Sequence, residues 1–212
     1  MGFSGKVAGL ATPSSGYNGS VGFVRRQNPA GVRPLWPYAE VMGRTISPSG
    51  ITVTLVTVSD RSHLGEREDL SGPAAARDLE NAGFRVIGNP VIPDGRDGVK
   101  AALMAAIENS SDVVLTLGGT GAGPRDETPD GTLPLIEREL PGIADGLRAA
   151  GAESVPTAVL SRGVAGLSYA THDGHRSVLV NLPGSTGGVR DGVQYLTAIL
   201  PHLVDQVKGG DH

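Results

Sequence analysis

The regular alternation of short β-branched runs with segments of helical periodicity is the feature that most constrains the fold. Strand-like runs occupy residues 51–58, 84–92, 112–117 and 177–182. Runs of this length and composition are typical of buried strands. Strands that alternate with helices form parallel sheets through right-handed crossovers. The sequence therefore predicts an α/β fold of three layers, in which a mostly parallel sheet carries helices on both faces.

The segments between these strands predict helices and one short extended piece. In residues 98–108, the apolar residues recur at helical spacing and define one buried stripe. Residues 189–207 repeat this pattern over a longer span. Proline and glycine mark the start and the end of a helix at residues 71–81. The remaining predictions are helices at residues 130–140 and 141–150 and an extended segment at residues 155–160.

Residues 1–49 have a composition unlike that of the rest of the chain. They are rich in Gly, Pro and Ser, and their basic residues are accompanied by a single acid, Glu40. No sustained periodicity indicates a helix or a strand. We expect an N-terminal extension that is disordered or a mis-assigned start, followed by a folded domain at residues 50–208. A transit peptide is the alternative that the arginines leave open, although no amphipathic helix is visible.

The charge and the residue types exclude several classes of function. The formal net charge is −4, whereas a protein dedicated to nucleic acid needs a basic surface. The chain has no cysteine, which excludes disulfides, thiolate zinc sites and a cysteine nucleophile. No apolar run approaches the roughly 20 residues of a membrane helix. We therefore expect a cytoplasmic protein that binds neither nucleic acid nor a membrane.

Four polar or glycine-rich loops follow the predicted strands. They occupy residues 59–62, 93–97, 118–126 and 181–188. In open α/β sheets, ligands bind beyond the carboxyl ends of the strands. Packing alone does not require four such loops along one edge, so their convergence predicts a binding site there.

The third of these loops opens with Gly118, Gly119, Thr120 and Gly121. Glycines after a strand allow φ > 0 and let backbone N–H groups approach an anion such as phosphate. The loop is not a Walker A motif, because a Pro-Arg pair stands where Lys and Ser/Thr would follow. A tight strand-to-helix turn without a ligand is the alternative interpretation.

Asp94 and Asp126 each lie in one of these loops. Two carboxylates beside a phosphate site suit Mg²⁺, a hard cation that takes oxygen ligands and bridges phosphoryl oxygens. The alternative for Asp94 is an ordinary turn residue, because Pro-Asp-Gly is common turn chemistry. The alternatives for Asp126 are an ion pair with Arg125 and a cap on the following helix.

Side chains with hydroxyl or amide groups also lie at the predicted strand ends. Such groups suit the binding of a polar ring or a phosphate, but the same residue types commonly cap helices and turns. No G-x-S-x-G sequence is present, so none of them is predicted to be a hydrolase nucleophile. The candidates are Ser59, Ser62, Ser161, Asn181 and Ser185.

Five motifs occur in one order along residues 51–207. They are Val58-Ser-Asp-Arg-Ser62, Ile92-Pro-Asp94, Leu117-Gly-Gly-Thr-Gly121 with Pro124-Arg-Asp126 and Thr128-Pro129, Leu160-Ser-Arg162 with Ala165-Gly166, and Asn181-Leu-Pro-Gly184. In identity and order, these motifs resemble those of the Mog/MoaB-type molybdopterin adenylyltransferases, which include related domains of gephyrin and its plant counterpart. The resemblance implies a molybdopterin-binding fold, usually assembled as a trimer.

The resemblance also implies a role in molybdenum cofactor biosynthesis. In this family, the terminal phosphate of molybdopterin attacks the α-phosphorus of ATP with the assistance of Mg²⁺, and adenylyl-molybdopterin and pyrophosphate form. A MoaB-like protein that binds molybdopterin or a partner without catalysis is the first alternative. The second is an enzyme that shares the fold, of the molybdate-insertion type or the CinA-type pyrophosphatases.

By resemblance, Asp94 and Asp126 are the essential acidic pair and act through Mg²⁺ and the triphosphate. Residues 118–121 hold the nucleotide phosphates, and a molybdate-insertion enzyme is an expected partner. The pterin pocket is implied to include Ser161, Asn181, Pro183, Gly184 and Ser185, and the rim to include Ser59, Asp60 and Ser62.

Overall fold

The computed structural model describes residues 1–2 and 47–210, and all the elements named below lie in the unit Tyr38–His212. The predicted extension at residues 1–49 falls almost entirely outside the described residues. The strands are β1 (Thr52–Val58), β2 (Arg85–Gly88), β3 (Val91–Ile92), β4 (Val113–Leu117), β5 (Ile136–Glu139), β6 (Ala165–Ser168) and β7 (Val178–Leu182). The α-helices are α1 (Asp60–His63), α2 (Ser71–Asn81), α3 (Arg96–Glu108), α4 (Thr128–Thr132), α5 (Pro141–Ser154) and α6 (Thr186–Val207).

The strands form one mixed sheet in the order β2-β1-β4-β7-β6-β5, and β3 also pairs with β1. All pairs that involve β1 or β4 are parallel, whereas β6 pairs antiparallel with both β7 and β5. The mostly parallel sheet predicted from the sequence is therefore confirmed. Because β1, β3, β4 and β7 run in the same direction, their carboxyl ends meet at one edge of the sheet.

Each face of the sheet supports its own hydrophobic core. Val53 and Leu55 of β1 point into a core shared with α2 and α6, while Val56 and Val58 point into a core shared with α3. Successive side chains of a strand point to opposite faces, so a strand covered on both sides is apolar throughout. This is the reason that β1, β4 and β7 are mostly apolar on both faces, with threonines and Asn181 as the exceptions, and the predicted three-layer arrangement is confirmed.

The long helix α6 closes one face of the sheet. It begins at Thr186, three residues before its predicted start, because the Ser185 hydroxyl accepts a hydrogen bond from the N–H of Gly188 at 3.2 Å and caps it. Of the five residues predicted to face inward, Val193, Leu196 and Leu200 are buried, while Leu203 and Val207 are partly buried and pack against the same core. Within residues 1–2 and 47–210, no helix is both long and apolar enough to cross a membrane.

The predicted helix at residues 130–140 is wrong. The chain forms the short helix α4, a 3-10 turn at Leu133–Leu135 and then strand β5. Pro134 has no N–H to continue an α-helix, and β5 pairs antiparallel with β6, a strand that the sequence did not predict. Pairing with a distant segment therefore overrides the helix propensity of the Glu-Arg-Glu run in β5.

Two further predictions need correction. The single strand predicted at residues 84–92 is divided into β2 and β3, both paired with β1, and Pro90 lies in the break, where its carbonyl accepts from the N–H of Thr57 at 2.9 Å. The segment at residues 155–160, predicted to be extended, forms a 3-10 helix at Pro156–Leu160. Proline suits the first position of such a helix because its φ is already fixed near the helical value.

Helix α2 begins where the sequence predicts, but a different residue caps it. The Asp69 carboxylate accepts from the N–H groups of Ser71 and Gly72, each at 3.0 Å, and from the Thr57 hydroxyl at 2.8 Å. Partial burial raises the pKa of Asp69, but these hydrogen bonds outweigh burial and leave the pKa below its usual value. The carboxylate therefore ties the start of α2 to the end of β1.

Candidate functional site

A cavity of about 1060 Å³ opens at the carboxyl edge of the sheet. It extends from the ends of β1 and β4 to the start of α6 and to one side of α5. The structure brings together in its wall every residue that the sequence singled out, while their individual roles stay predictions. These residues are Ser59, Asp60, Ser62, Asp94, Gly118, Gly119, Thr120, Gly121, Asp126, Ser161, Asn181, Pro183, Gly184 and Ser185.

The glycines at the end of β4 are required by the backbone. Gly118 has a φ of +115° and Gly119 a φ of +63°. A Cβ at Gly118 would lie 2.3 Å from the carbonyl oxygen of Val58. The N–H of Gly118 donates to the carbonyl of Leu182 at 3.0 Å. Gly118 thus permits a sharp turn after β4 that packs against the ends of β1 and β7, which no residue with a side chain could make without strain.

The loops that follow β1 and β3 are cross-linked by two aspartates. The N–H of Asp60 donates to Asp94 Oδ2 at 2.8 Å, and the N–H of Asp94 donates to Asp60 Oδ1 at 3.0 Å. Arg125 Nη2 contacts both Asp60 oxygens, at 2.9 and 2.7 Å, and the Asp94 carbonyl at 3.0 Å. Asp94 is therefore more than a turn residue, because its carboxylate holds two loops of the cavity in register.

Asp126 lies against the glycines of its own loop. Its Oδ2 accepts from the N–H of Gly123 at 2.9 Å, and a Cβ at Gly121 would lie 2.7 Å from the same oxygen. The alternatives raised from the sequence do not hold, because Arg125 pairs with Asp60 and the residue at the N-cap of α4 is Glu127. The Asp126 carboxylate is thus packed into a recess lined by glycine.

Arg162 fastens the glycine-rich loop from the other side. Its backbone N–H donates to the carbonyl of Thr120 at 2.8 Å, and its Nη1 donates to the carbonyl of Asp126 at 2.9 Å. Its Nη2 contacts both oxygens of Asp130 at 2.7 Å. The sequence assigned no role to Arg162 and considered Arg125 only as an ion-pair partner of Asp126, although both stand in motifs beside predicted site residues. The position of each arginine beside a predicted site residue was the signal that could have identified it.

The polar residues predicted for the pterin pocket differ in how far they are free to bind. Asn181 is buried, and its Nδ2 donates to two threonine hydroxyls. The Ser185 hydroxyl caps α6, and the Ser161 hydroxyl accepts from the N–H of Gly163 at 3.2 Å. The Ser59 hydroxyl accepts from the N–H of Ser62 at 3.3 Å and caps α1. These side chains line the cavity wall. Because they already make hydrogen bonds within the protein, only part of their hydrogen-bonding capacity remains for a ligand.

The two carboxylates fit a magnesium ion held together with phosphate oxygens. The hydrogen bonds to Asp94 and Asp126 use Oδ2 of each residue, so among the described residues neither Oδ1 accepts a hydrogen bond. The described part of the chain contains no group of three or more His, Cys, Asp or Glu residues arranged to hold a metal alone. Mg²⁺ is usually held by one or two carboxylates plus substrate phosphates, and the cavity supplies two carboxylates for such a set.

The arrangement suits chemistry that depends on positioning and on charge neutralisation. Phosphoryl-type transfer has these needs, since it requires little covalent participation by the protein. Among the described residues that line the cavity there is no histidine or cysteine, and the acidic groups stand beside glycine N–H groups. The site therefore supports transfer between phosphate groups better than acyl transfer by a protein nucleophile.

Comparisons with known proteins give consistent matches over most of the described residues. The profile of the family described as "Probable molybdopterin binding domain" matches residues 54–202. The chain is 35% identical over 164 residues to the molybdopterin adenylyltransferase of Pyrococcus furiosus, and this match covers 76% of the chain and 94% of that protein.

Two further matches bear on the length and the fold. The chain is 35% identical over 164 residues to the molybdenum cofactor biosynthesis bifunctional protein of Synechococcus elongatus, and the match covers 77% of the chain but only 50% of that protein. The chain thus spans half the length of this relative. The crystal structure of a molybdopterin biosynthesis protein from Mycobacterium abscessus is 40% identical, with a TM-score of 0.68, and the match covers 74% of this chain and 96% of that one.

Proposed function

Because this chain belongs to the molybdopterin-binding domain family, as its motifs predicted, we propose that it is a molybdopterin adenylyltransferase of molybdenum cofactor biosynthesis. The observation that carries the proposal is the joint placement of two carboxylates and a glycine-rich loop in one cavity. At about 1060 Å³, this cavity lies at the upper end of the usual range for ligand sites, roughly 300–1,000 Å³, so it has room for a ligand as large as a nucleotide. The name of the relative from Pyrococcus furiosus supports the same reaction.

In the proposed reaction, an oxygen of the terminal phosphate of molybdopterin attacks the α-phosphorus of ATP. The bond between the α-phosphorus and the bridging oxygen to the β-phosphate breaks, and pyrophosphate leaves with the electron pair. The N–H groups of residues 118–121 would hold the nucleotide phosphates. Asp94 and Asp126 would hold Mg²⁺, which neutralises charge on the phosphates when it is bound.

The remaining wall of the cavity is proposed to receive the pterin. Pro183 and Gly184 follow β7, and a Cβ at Gly184 would lie 3.1 Å from the Cα of Gly118, so the two loops are in close contact. Ser161 and Ser185 border the same space. Asn181 would act mainly by holding this wall in place, because both of its N–H donors already have protein partners. A homotrimer, a cytoplasmic location and a molybdate-insertion enzyme as the recipient of the product are further parts of the proposal.

The test is product formation by the purified full chain with molybdopterin and Mg-ATP. We expect adenylyl-molybdopterin and pyrophosphate in equal amounts, and neither product when molybdopterin, ATP or Mg²⁺ is omitted. The proposal would be refuted if calorimetry detected molybdopterin binding while neither product formed under the same conditions. That result would favour a protein that binds molybdopterin without catalysis.

A further inference from the structure

A network of buried hydrogen bonds lies beneath the glycine-rich loop. Asn181 Nδ2 donates to the hydroxyls of Thr116 and Thr132, each at 2.9 Å. The Thr132 hydroxyl donates in turn to the carbonyl of Thr128 at 2.8 Å. The three threonines have no exposed surface or almost none, and Asn181 is 5% exposed. Unpaired polar groups are costly in such a place, so the hydrogen bonds of Asn181 and Thr132 are strongly favoured, whereas the buried Thr128 hydroxyl has no hydrogen-bond partner among the described residues.

In this buried network, the donor and the acceptor of every hydrogen bond can be assigned. Asn181 Oδ1 accepts from the N–H of Val164 at 3.2 Å, which settles the orientation of the amide and turns Nδ2 toward the threonines. The Thr132 hydroxyl has a single hydrogen, and since this hydrogen goes to Thr128, its oxygen must accept from Asn181. The Thr132 hydroxyl therefore connects strand β7 to helix α4 through hydrogen bonds.

From Thr132, this hydrogen-bond network continues through Thr128 to the glycine-rich loop. The N–H of Thr128 donates to the carbonyl of Gly119 at 3.1 Å. A Cβ at Gly119 would lie 2.3 Å from the Thr128 hydroxyl oxygen and 3.3 Å from Asp94 Oδ1. The first residue of α4 is thus packed directly against the glycine that borders a predicted catalytic carboxylate. A shift of α4 would move the Gly119 peptide and its neighbouring N–H groups.

We propose that Thr132 is a positioning residue of the adenylyl-transfer site, which acts by holding α4 and through it the Gly119 peptide. The catalytic part of this inference rests on the proposed function. The structural part does not, because the Thr128 amide itself reports on the bond to Gly119. Small displacements of groups that position substrates lower turnover strongly, even where those groups touch no substrate.

The experiment compares Thr132→Val, Thr132→Ser and Thr116→Val in the full chain. Thr116→Val is the matched control, because it also leaves one Nδ2 hydrogen of Asn181 without an acceptor but removes no hydrogen bond made by α4. Hydrogen exchange at the Thr128 amide is measured together with kcat, KM for ATP and the unfolding midpoint. In Thr132→Val, we expect the Thr128 amide to exchange on the order of tenfold faster than in the wild type, and kcat to be on the order of tenfold lower.

The two comparison variants define the rest of the outcome. Thr132→Ser should restore exchange and kcat to within about twofold of the wild type. Thr116→Val should lower the unfolding midpoint about as much as Thr132→Val, but leave exchange at Thr128 and kcat near the wild-type values. If valine is not accommodated at this position, Thr132→Ala removes the same hydroxyl without adding a branched side chain.

Two results would overturn the proposal. One is unchanged exchange at Thr128 in Thr132→Val, and the other is equal acceleration in Thr116→Val, which would indicate general loosening of the core. A wild-type protein that makes no adenylyl-molybdopterin would refute the proposed function instead. The exchange data would still decide whether Thr132 holds the Gly119 peptide.

Discussion

Replacing Gly118 with alanine places a methyl group where the turn after β4 has no room for one. The added Cβ would lie 2.3 Å from the carbonyl oxygen of Val58, at a residue whose φ is +115°. A non-glycine residue in such a conformation costs about 1–3 kcal/mol. The neighbouring atom belongs to the backbone of a central strand and cannot rotate away, so relief of the overlap adds about 1–3 kcal/mol. The expected loss is therefore about 2–6 kcal/mol, a large part of the 5–15 kcal/mol typical of a domain.

Gly98→Ala is the matched control, because Gly98 lies in helix α3 and a Cβ there would meet nothing within 4 Å. Alanine is favoured over glycine by about 0.5–1 kcal/mol in a helix interior, and Gly98, which lies in the first turn of α3, should gain up to that amount. Urea unfolding followed by circular dichroism should move the midpoint down for Gly118→Ala and slightly up for Gly98→Ala, with similar slopes. A Gly118→Ala protein that unfolds at the wild-type midpoint would refute the turn geometry described above.

Two other substitutions test separate parts of the structure. Arg162 donates to the Asp126 carbonyl through Nη1 and to the Asp130 carboxylate through Nη2, and the single nitrogen of lysine cannot replace both contacts. For Arg162→Lys we therefore expect KM for ATP to rise on the order of tenfold. The melting temperature should barely change, since exposed ion pairs contribute about 0–1 kcal/mol; unchanged KM would contradict this role. A separate prediction concerns the pH dependence of stability. Burial raises the pKa of Asp112, but hydrogen bonds from Lys208 and Thr52 outweigh burial and hold this pKa below the usual 3.8. The ionised carboxylate therefore stabilises the fold above about pH 4, and this stabilisation is lost as the pH falls through the lowered pKa. The difference in unfolding free energy between wild type and Asp112→Asn should thus be constant near pH 7 and shrink below about pH 4 in pH-dependent denaturation, and a constant difference down to pH 2 would contradict the assignment.

The strands at the centre of the sheet could be predicted from the sequence because burial on both faces leaves a purely local signal. The predicted runs at residues 51–58, 112–117 and 177–182 each begin one residue before β1, β4 and β7. Strand β5 carries no such signal, since three of its four residues are exposed and charged. Its conformation depends on pairing with β6, far along the chain, and Pro134 was the only local warning against a helix.

The location of the site could also be predicted, because the end of a parallel strand fixes where the next loop emerges. Its internal contacts could not. The cross-link between Asp60 and Asp94 joins loops 34 positions apart, and the bond from Asn181 to Thr132 spans 49 positions. Residue spacing along the chain does not reveal which side chains such loops bring within hydrogen-bond distance.

Substitution of the two cavity carboxylates tests the central claim most directly. Adenylyl transfer from Mg-ATP to molybdopterin should be measured for Asp94→Asn, Asp126→Asn and the control Asp97→Asn, an exposed residue of α3 that does not line the cavity. The account predicts a loss of about 100-fold or more for the first two variants, with each still folded, and a rate within about twofold of the wild type for the control. Wild-type rates in folded Asp126→Asn would contradict the assignment of this cavity as the site of adenylyl transfer.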